Sequence, residues 1–281
     1  MSSNFNGKVA FVSGVARAQG RSHAVRLAEQ GADIVGIDIA RRVDTTPYPG
    51  ATPEDLDETA RLIEKTGRRA VLRQADVRDL SAVSATVDEG VAELGRLDIA
   101  CINAAVFSMG ALVDLDQQTW NDVIDINLTG AWHTAKAVVP HIRAGGRGGS
   151  IVFTASAVGV QPMAYCGHYS ASKAGVVALA QALAQELGPE NIRVNAVAPG
   201  VVDTYMVDND MVRQAFMPDV DHPTREDALK PDSAFVRVNA LPNPWVLPTD
   251  ISEAVSFLCS DAARFITGIV LPVENGYLVK H

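Results

Sequence analysis

In the stretch Ser13-Gly14-Val15-Ala16-Arg17-Ala18-Gln19-Gly20-Arg21, two glycines bracket a turn between an apolar run, Val9-Ala10-Phe11-Val12, and a segment from Ser22 to Gln30 whose apolar residues recur at helical spacing. A strand, a glycine-containing turn and a helix starting near Gly20 form a setting in which backbone N–H groups and the helix dipole can hold a pyrophosphate. The spacing Gly-x-x-x-Ala-x-Gly departs from the G-x-G-x-x-G fingerprint, since Ala18 carries a methyl group. A right-handed or extended backbone at Ala18 accommodates that methyl, whereas a left-handed one would disfavour it by about 1 kcal/mol. The expectation is an unstrained Ala18 and a loop that still binds a dinucleotide. On its own the loop is equally compatible with a plain strand-to-helix turn, and residues downstream decide between the two.

The same alternation continues along the chain. Short apolar or β-branched runs recur at Asp33–Ile37, Ala70–Leu72, Leu97–Ile102, Ser150–Phe153, Ile192–Val197 and Ile269–Leu271. Helical spacing fills Leu56 to Lys65, Leu80 to Leu94, Trp120 to Ile142 and Ala171 to Leu187. Repeated βαβ units of this kind predict an α/β, three-layer Rossmann fold: a doubly wound parallel sheet of about seven strands with helices on both faces. No internal repeat and no compositional break divides residues 1–281, so a single domain is expected. With 47% hydrophobic residues, the 281-residue chain can bury one sizeable core.

Charge and cysteine content exclude several classes of function. The 24 basic and 33 acidic side chains give a net charge of -9, which disfavours nucleic acid and anionic membranes as partners. Cys101, Cys166 and Cys259 are scattered, without the spacing of a zinc site or a disulfide framework, so no metal is expected. The start, Met1 to Lys8, is polar, and the apolar run after it is too short for a signal peptide or a membrane span. A cytoplasmic protein is the expectation.

Asp38 ends the second predicted strand, where a carboxylate can accept hydrogen bonds from both ribose hydroxyls of an adenosine. A 2′-phosphate would meet Asp38 as a like charge, which favours NAD over NADP despite Arg41 and Arg42 just downstream. At the other end of the site, Tyr169 and Lys173 form Tyr-x-x-x-Lys and lie on one face of a predicted helix. A free tyrosine titrates near 10, and bringing it to about 7 requires roughly 4 kcal/mol. A nearby lysine with a positive nicotinamide would supply it, so a lowered Tyr169 pKa is expected. Ser156 follows the predicted strand Ser150–Phe153 at its carboxyl end, where open α/β sheets place ligands.

With these residues in place, the chain resembles the short-chain dehydrogenase/reductase family over essentially its whole length. The family's Thr-Gly-x-x-x-Gly-x-Gly loop corresponds to Ser13-Gly14 through Gly20, departing at Ser13 and Ala18, and its acidic position to Asp38. Its adenine-pocket Asp-Val corresponds to Asp76-Val77. Its Asn-Asn-Ala-Gly segment is reduced here to Ile102-Asn103-Ala104-Ala105, and its Pro-Gly segment and following threonine fall on Pro199-Gly200 and Thr204. The resemblance implies NAD as cofactor, with Arg17, Gln19 and Val202 among its contacts, and Asn127, Ser156, Tyr169 and Lys173 as the catalytic set. It implies hydride transfer between a secondary alcohol and NAD. Tyr169 would act as acid/base, Ser156 would hold the substrate oxygen, Lys173 would bind the nicotinamide ribose, and Asn127 would position a proton-relaying water.

Two segments interrupt the rhythm. The first, at about 40–53, carries Arg41-Arg42-Val43-Asp44-Thr45-Thr46-Pro47-Tyr48-Pro49. It resembles the carveol-dehydrogenase-like branch associated with mycofactocin, which implies an insertion covering NAD and a mycofactocin carrier re-oxidising it in place. The second, at about 203–248, is proline-rich with only weak helical patches and is expected to cover the substrate. Met206, Met211, Phe216, Met217 and Trp245 are its candidates for an apolar, terpenol-like alcohol or ketone. The family resemblance further implies a homotetramer built on the two long helices and the C-terminal strand. Two other readings stay open at this point. One is an NAD-binding sensor or scaffold without turnover, and the other a ketoacyl or other carbonyl reductase with freely exchanging cofactor.

Overall fold

The computed structural model describes residues 5–280, so the polar Met1–Asn4 start and His281 lie outside it. Seven strands, β1 (Val9–Ser13), β2 (Asp33–Asp38), β3 (Ala70–Gln74), β4 (Ile99–Ile102), β5 (Gly149–Thr154), β6 (Ile192–Pro199) and β7 (Val270–Val273), form one sheet. All neighbours are parallel, in the order β3-β2-β1-β4-β5-β6-β7. Strand order reverses between β1 and β4, which opens a crevice at their carboxyl ends.

The sheet's pleat separates two cores. On one face Val9, Phe11, Ala100, Ile102, Ile151 and Phe153 pack with Val87 of α3 (Leu80–Leu94) and with further helices described below. On the other face Ala10, Val12, Ile99, Cys101 and Val152 pack with α1 (Ala18–Glu29) and α2 (Pro53–Glu64). Neighbouring residues of one strand therefore serve opposite layers, as a sheet buried on both faces requires. This is the expected three-layer Rossmann architecture.

One predicted helix is not continuous. The Trp120–Ile142 segment is α4 (Gln117–Ile124), a π-helical turn over Asp125–Thr129 and α5 (Gly130–Ala144). The hydrophobic spacing carries on across the turn, so the sequence pattern does not reveal the extra residue; such bulges are frequent at functional sites, and this one holds Asn127. After β5, a short α6 (Ala157–Val160) leads to α7 (Gly167–Leu187), whose Val176, Ala180 and Leu187 complete the first core together with α5's Val138 and Ile142.

The stretch from 203 to 245 leaves and rejoins the body at one parallel bridge, Val202 with Val246. Its weak helical patches are the short α8 (Asp210–Phe216), α9 (Arg225–Ala228) and α10 (Ala234–Arg237), before α11 (Pro248–Cys259) returns to pack on α1 in the second core. Their side chains form a separate cluster in which Phe216 stacks on Phe235 at 4.4 Å and Trp245 meets Phe235 edge-on. No helix among the described residues is long and apolar enough to cross a membrane.

Candidate active site

The loop after β1 is held together by close backbone approach. A Cβ on Gly20 would sit 1.9 Å from the Gly14 carbonyl oxygen, and Gly14 itself has φ +70°. Both glycines are therefore required by geometry. Ala18 departs from expectation: its φ is +49°, in the left-handed region, so the methyl is carried under strain. Packing of the first turn of α1 against the loop overrides the local preference of alanine. Ala18→Gly should consequently raise stability by up to about 1 kcal/mol, against the usual loss for glycine, as read from the midpoint of denaturant unfolding.

Ser13, which stands where the family loop has threonine, ties this loop to the tip of β4. Its hydroxyl accepts from Asn103 N at 2.9 Å and Ala104 N at 3.1 Å, while Asn103 Nδ2 donates to the Ser13 carbonyl. No side chain caps α1, so its first-turn amides stay available to an anion. Gln19 Oε1 is buried without a hydrogen-bond partner beside them. At the tip of β2, Asp38 accepts from Ala16 N at 3.0 Å and Ala40 N at 2.9 Å. Burial pushes its carboxyl above the ordinary range, opposed by those two amides and by Arg17. Free amides, an orphaned acceptor and a ribose-type carboxylate together fit a dinucleotide.

Residues 39–52, from the end of β2 to α2, are fastened at several points. Thr52 and Asp55 form a capping box that starts α2, with Pro53 in its first turn. Arg41 pairs with Asp76 at 3.3 Å, and Arg78 bridges Asp76 at 2.7 Å and Asp122 of α4 at 2.9 Å. Thr45 donates to the same Asp122 at 2.8 Å. Burial acts to raise the Asp76 pKa, but hydrogen bonds from Arg78 and Arg41 outweigh it and leave the carboxyl below its usual range. From below, Arg17 donates to the Pro49 and Gly50 carbonyls at 2.5 and 3.0 Å, and its guanidinium lies 5.4 Å from the Tyr205 ring.

At the other end, Tyr169 and Lys173 occupy one face of α7, with the lysine Nζ 5.7 Å from the tyrosine ring centroid. Lys173 is 2% exposed and donates to the Thr154 carbonyl at 2.7 Å. Ser156 Oγ donates to the Pro199 carbonyl at 3.5 Å and lies near enough to the Tyr169 phenol to favour its ionised form. Among the protein's own groups, burial pushes the phenol up, with only Ser156 opposing it, so the expected lowering falls to the positive nicotinamide. Burial also lowers Lys173 to about 7, so the ammonium is itself poorly held. The protein's own groups keep the phenol protonated, and a further positive charge is needed to favour phenolate.

A single cleft unites these groups. Gly14, Arg17, Gln19, Gly20, Asp38, Asp76, Val77, Asn103, Ala104, Ser156, Tyr169, Lys173, Pro199, Gly200, Val202 and Thr204 all line it. Asn127 does not. Its amide brackets Val106, accepting from its N–H at 2.8 Å and donating to its carbonyl at 2.9 Å, and also donates to Ser172 Oγ at 3.2 Å. With both amide hydrogens engaged, Asn127 fixes the loop after β4 rather than facing the cleft. Of the substrate-segment candidates, Met206 and Phe216 line the cleft. Met217 and Trp245 are drawn into the aromatic cluster, and Met211 borders a different hollow. Sequence reasoning missed Tyr48, Phe107, Val158, Met163, Val212, Val238, Asn239 and Tyr277, which also border the cleft. Tyr48 alone carried a signal, as an aromatic between two prolines inside the insertion.

Comparison with known proteins agrees with this geometry. A family model described as enoyl-(acyl carrier protein) reductase matches residues 14–278. A (-)-trans-carveol dehydrogenase of Rhodococcus erythropolis is 50% identical over 98% of both chains. The chain belongs to the short-chain dehydrogenase/reductase family. Among solved structures, carveol dehydrogenase from Mycobacterium avium in complex with NAD is 51% identical and superimposes with a TM-score of 0.96, covering 99% of this chain and 100% of that one. A short-chain dehydrogenase from Mycobacterium paratuberculosis bound to NAD is 43% identical with a TM-score of 0.90, over 98% of this chain and 99% of the other. The family explains why the phosphate loop, Asp38, Ser156 and the Tyr169/Lys173 pair lie along one crevice.

Proposed function

We infer that this member of the family is an NAD-dependent oxidoreductase interconverting a hydrophobic secondary alcohol and its ketone. The observation that carries the reading is the cleft itself, with a phosphate loop and Asp38 at one end and Ser156, Tyr169 and Lys173 at an apolar other end. The first-turn amides of α1 and Gln19 would hold the pyrophosphate, with Arg17 beside them fastening the insertion; Asp38 would hold the adenosine ribose, Asp76 and Val77 the adenine surroundings, and Lys173 the nicotinamide ribose. Bound NAD supplies a hydride acceptor and, when oxidised, positive charge near Tyr169. Tyr169 then takes the alcohol proton at its phenol oxygen and returns it in the reverse direction, while Ser156 hydrogen-bonds the substrate oxygen. Asn127 serves by anchoring Val106 beside the site. Val106, Val158, Met163, Val212 and Phe216 exclude water and favour a terpenol-like ring.

The test is an alcohol panel including (-)-trans-carveol, assayed with a dye acceptor on protein whose bound nucleotide has been identified. Alcohol-dependent dye reduction is expected. Its absence across the panel would overturn the reading and favour an NAD-binding role without turnover.

The fastened 39–52 segment supports a finer reading, in which NAD stays bound between turnovers and a mycofactocin-type carrier re-oxidises it in place. The 203–248 segment covers the substrate. The exposed Trp120 and Trp132 on α4 and α5 and Phe265 near β7 support a homotetramer. Purified protein should release NAD only on denaturation. Arg17→Ala, which removes both carbonyl contacts of the segment, should lose its nucleotide at least about tenfold faster on dialysis. A wild-type protein that emerges empty and turns over freely with added NAD would reject retention.

A further inference from the structure

Three consecutive residues of the loop after β4 are each held by a different element. Asn127 of the π-helical turn brackets the Val106 backbone. The Phe107 N–H donates to the Tyr48 hydroxyl at 2.8 Å, and Ser108 Oγ meets the buried His168 Nε2 at 2.8 Å. His168 directly precedes Tyr169, and the Ser172 hydroxyl that receives Asn127 Nδ2 itself donates to the Tyr169 carbonyl at 2.7 Å. The Phe107 ring then packs edge-on against the Tyr169 ring, 4.9 Å between centroids at 89°. Two of these three ties come from the π-helical turn and from the helix that carries Tyr169 and Lys173. The third comes from the insertion.

We propose that Tyr48 is a positioning residue for the catalytic tyrosine: by accepting the Phe107 N–H, it makes the seated insertion part of what holds Phe107 against Tyr169. Tyr48 is 6% exposed and borders the cleft, so its hydroxyl is fixed by packing as well as by this bond. Removing the oxygen leaves a part-buried N–H without this acceptor, which frees the Phe107 backbone and the aromatic contact it carries. Catalytic geometry is thereby made sensitive to whether residues 39–52 are in place. The inference rests on the oxidoreductase reading for its kinetic arm only.

The experiment compares wild type with Tyr48→Phe, which keeps the ring and loses the hydroxyl, and with Phe107→Leu, which keeps the N–H and loses the aromatic contact. On an alcohol that the wild type oxidises, Tyr48→Phe should lower kcat about tenfold with KM within about twofold and bound nucleotide unchanged, and Phe107→Leu should do likewise. In hydrogen–deuterium exchange, the backbone around Phe107 should open faster in Tyr48→Phe and remain close to wild type in Phe107→Leu. Wild-type kcat in Tyr48→Phe, or a loss matched by lost nucleotide, would overturn the proposal, as would unchanged exchange around Phe107. A wild type inactive on the whole alcohol panel would sink the functional reading instead, and the exchange comparison would still decide the Tyr48–Phe107 link.

Discussion

Tyr169→Phe should lower kcat by about 10²–10⁴-fold while the content of bound nucleotide stays at the wild-type level. The substitution removes one oxygen and leaves the ring, so the edge-on contact with Phe107 and the helical position four residues before Lys173 are preserved. Lys173 keeps its bond to the Thr154 carbonyl, so the nucleotide end of the cleft is untouched. What is lost is the group that holds and moves the proton. Steady-state rates with a nucleotide assay after denaturation measure both halves, and retention of the wild-type rate would remove Tyr169 from the mechanism. Because burial raises this phenol, the wild-type rate of alcohol oxidation should climb with rising pH and that of ketone reduction with falling pH.

Gly20→Ala should have the second largest effect, and through structure rather than chemistry. The added methyl would lie 1.9 Å from the Gly14 carbonyl oxygen and 3.0 Å from Asn103 Nδ2, far inside ordinary contact. The obstruction on the first side is backbone, which cannot swing away as a flexible side chain would. The first turn of α1 must move off the loop, at a cost of about 1–3 kcal/mol in stability. That turn carries the amides proposed to hold the pyrophosphate, so nucleotide content should fall at least about tenfold. Thermal unfolding and nucleotide quantification read the two effects. A variant that keeps both would show that the close approach of Gly20 to Gly14 is dispensable.

The sheet was legible in the sequence because its central strands are buried on both faces and read as mostly apolar runs, even though strand ends shift by a residue or two. Asp38 and the Tyr169/Lys173 pair were legible because their roles follow from position: the end of a strand and one face of a helix. Three features were not. The positive φ at Ala18 arises from packing between loop and helix, which local composition does not encode. The π-helical turn at Asp125–Thr129 inserts a residue without breaking the apolar spacing. The upward displacement of the Tyr169 pKa depends on how completely α7 buries the phenol, and no motif reports burial. Tyr48 and Phe107 escaped because their importance lies in a contact between an insertion and a loop far apart in sequence.

Asp38 has a consequence for how the protein could change over time. Its two carboxylate oxygens receive the Ala16 and Ala40 amides, one from the phosphate loop and one from the start of the insertion. Alanine at this position would orphan both buried donors, and asparagine would turn its own N–H₂ toward one of them, each unmet group costing about 1–3 kcal/mol. The route by which a neutral residue would admit a 2′-phosphate is thus blocked by the backbone, not by charge alone. A lineage built on this framework is tied to one of the cell's two nicotinamide pools, and retuning it calls for rebuilding the loop and the insertion together rather than exchanging a single side chain.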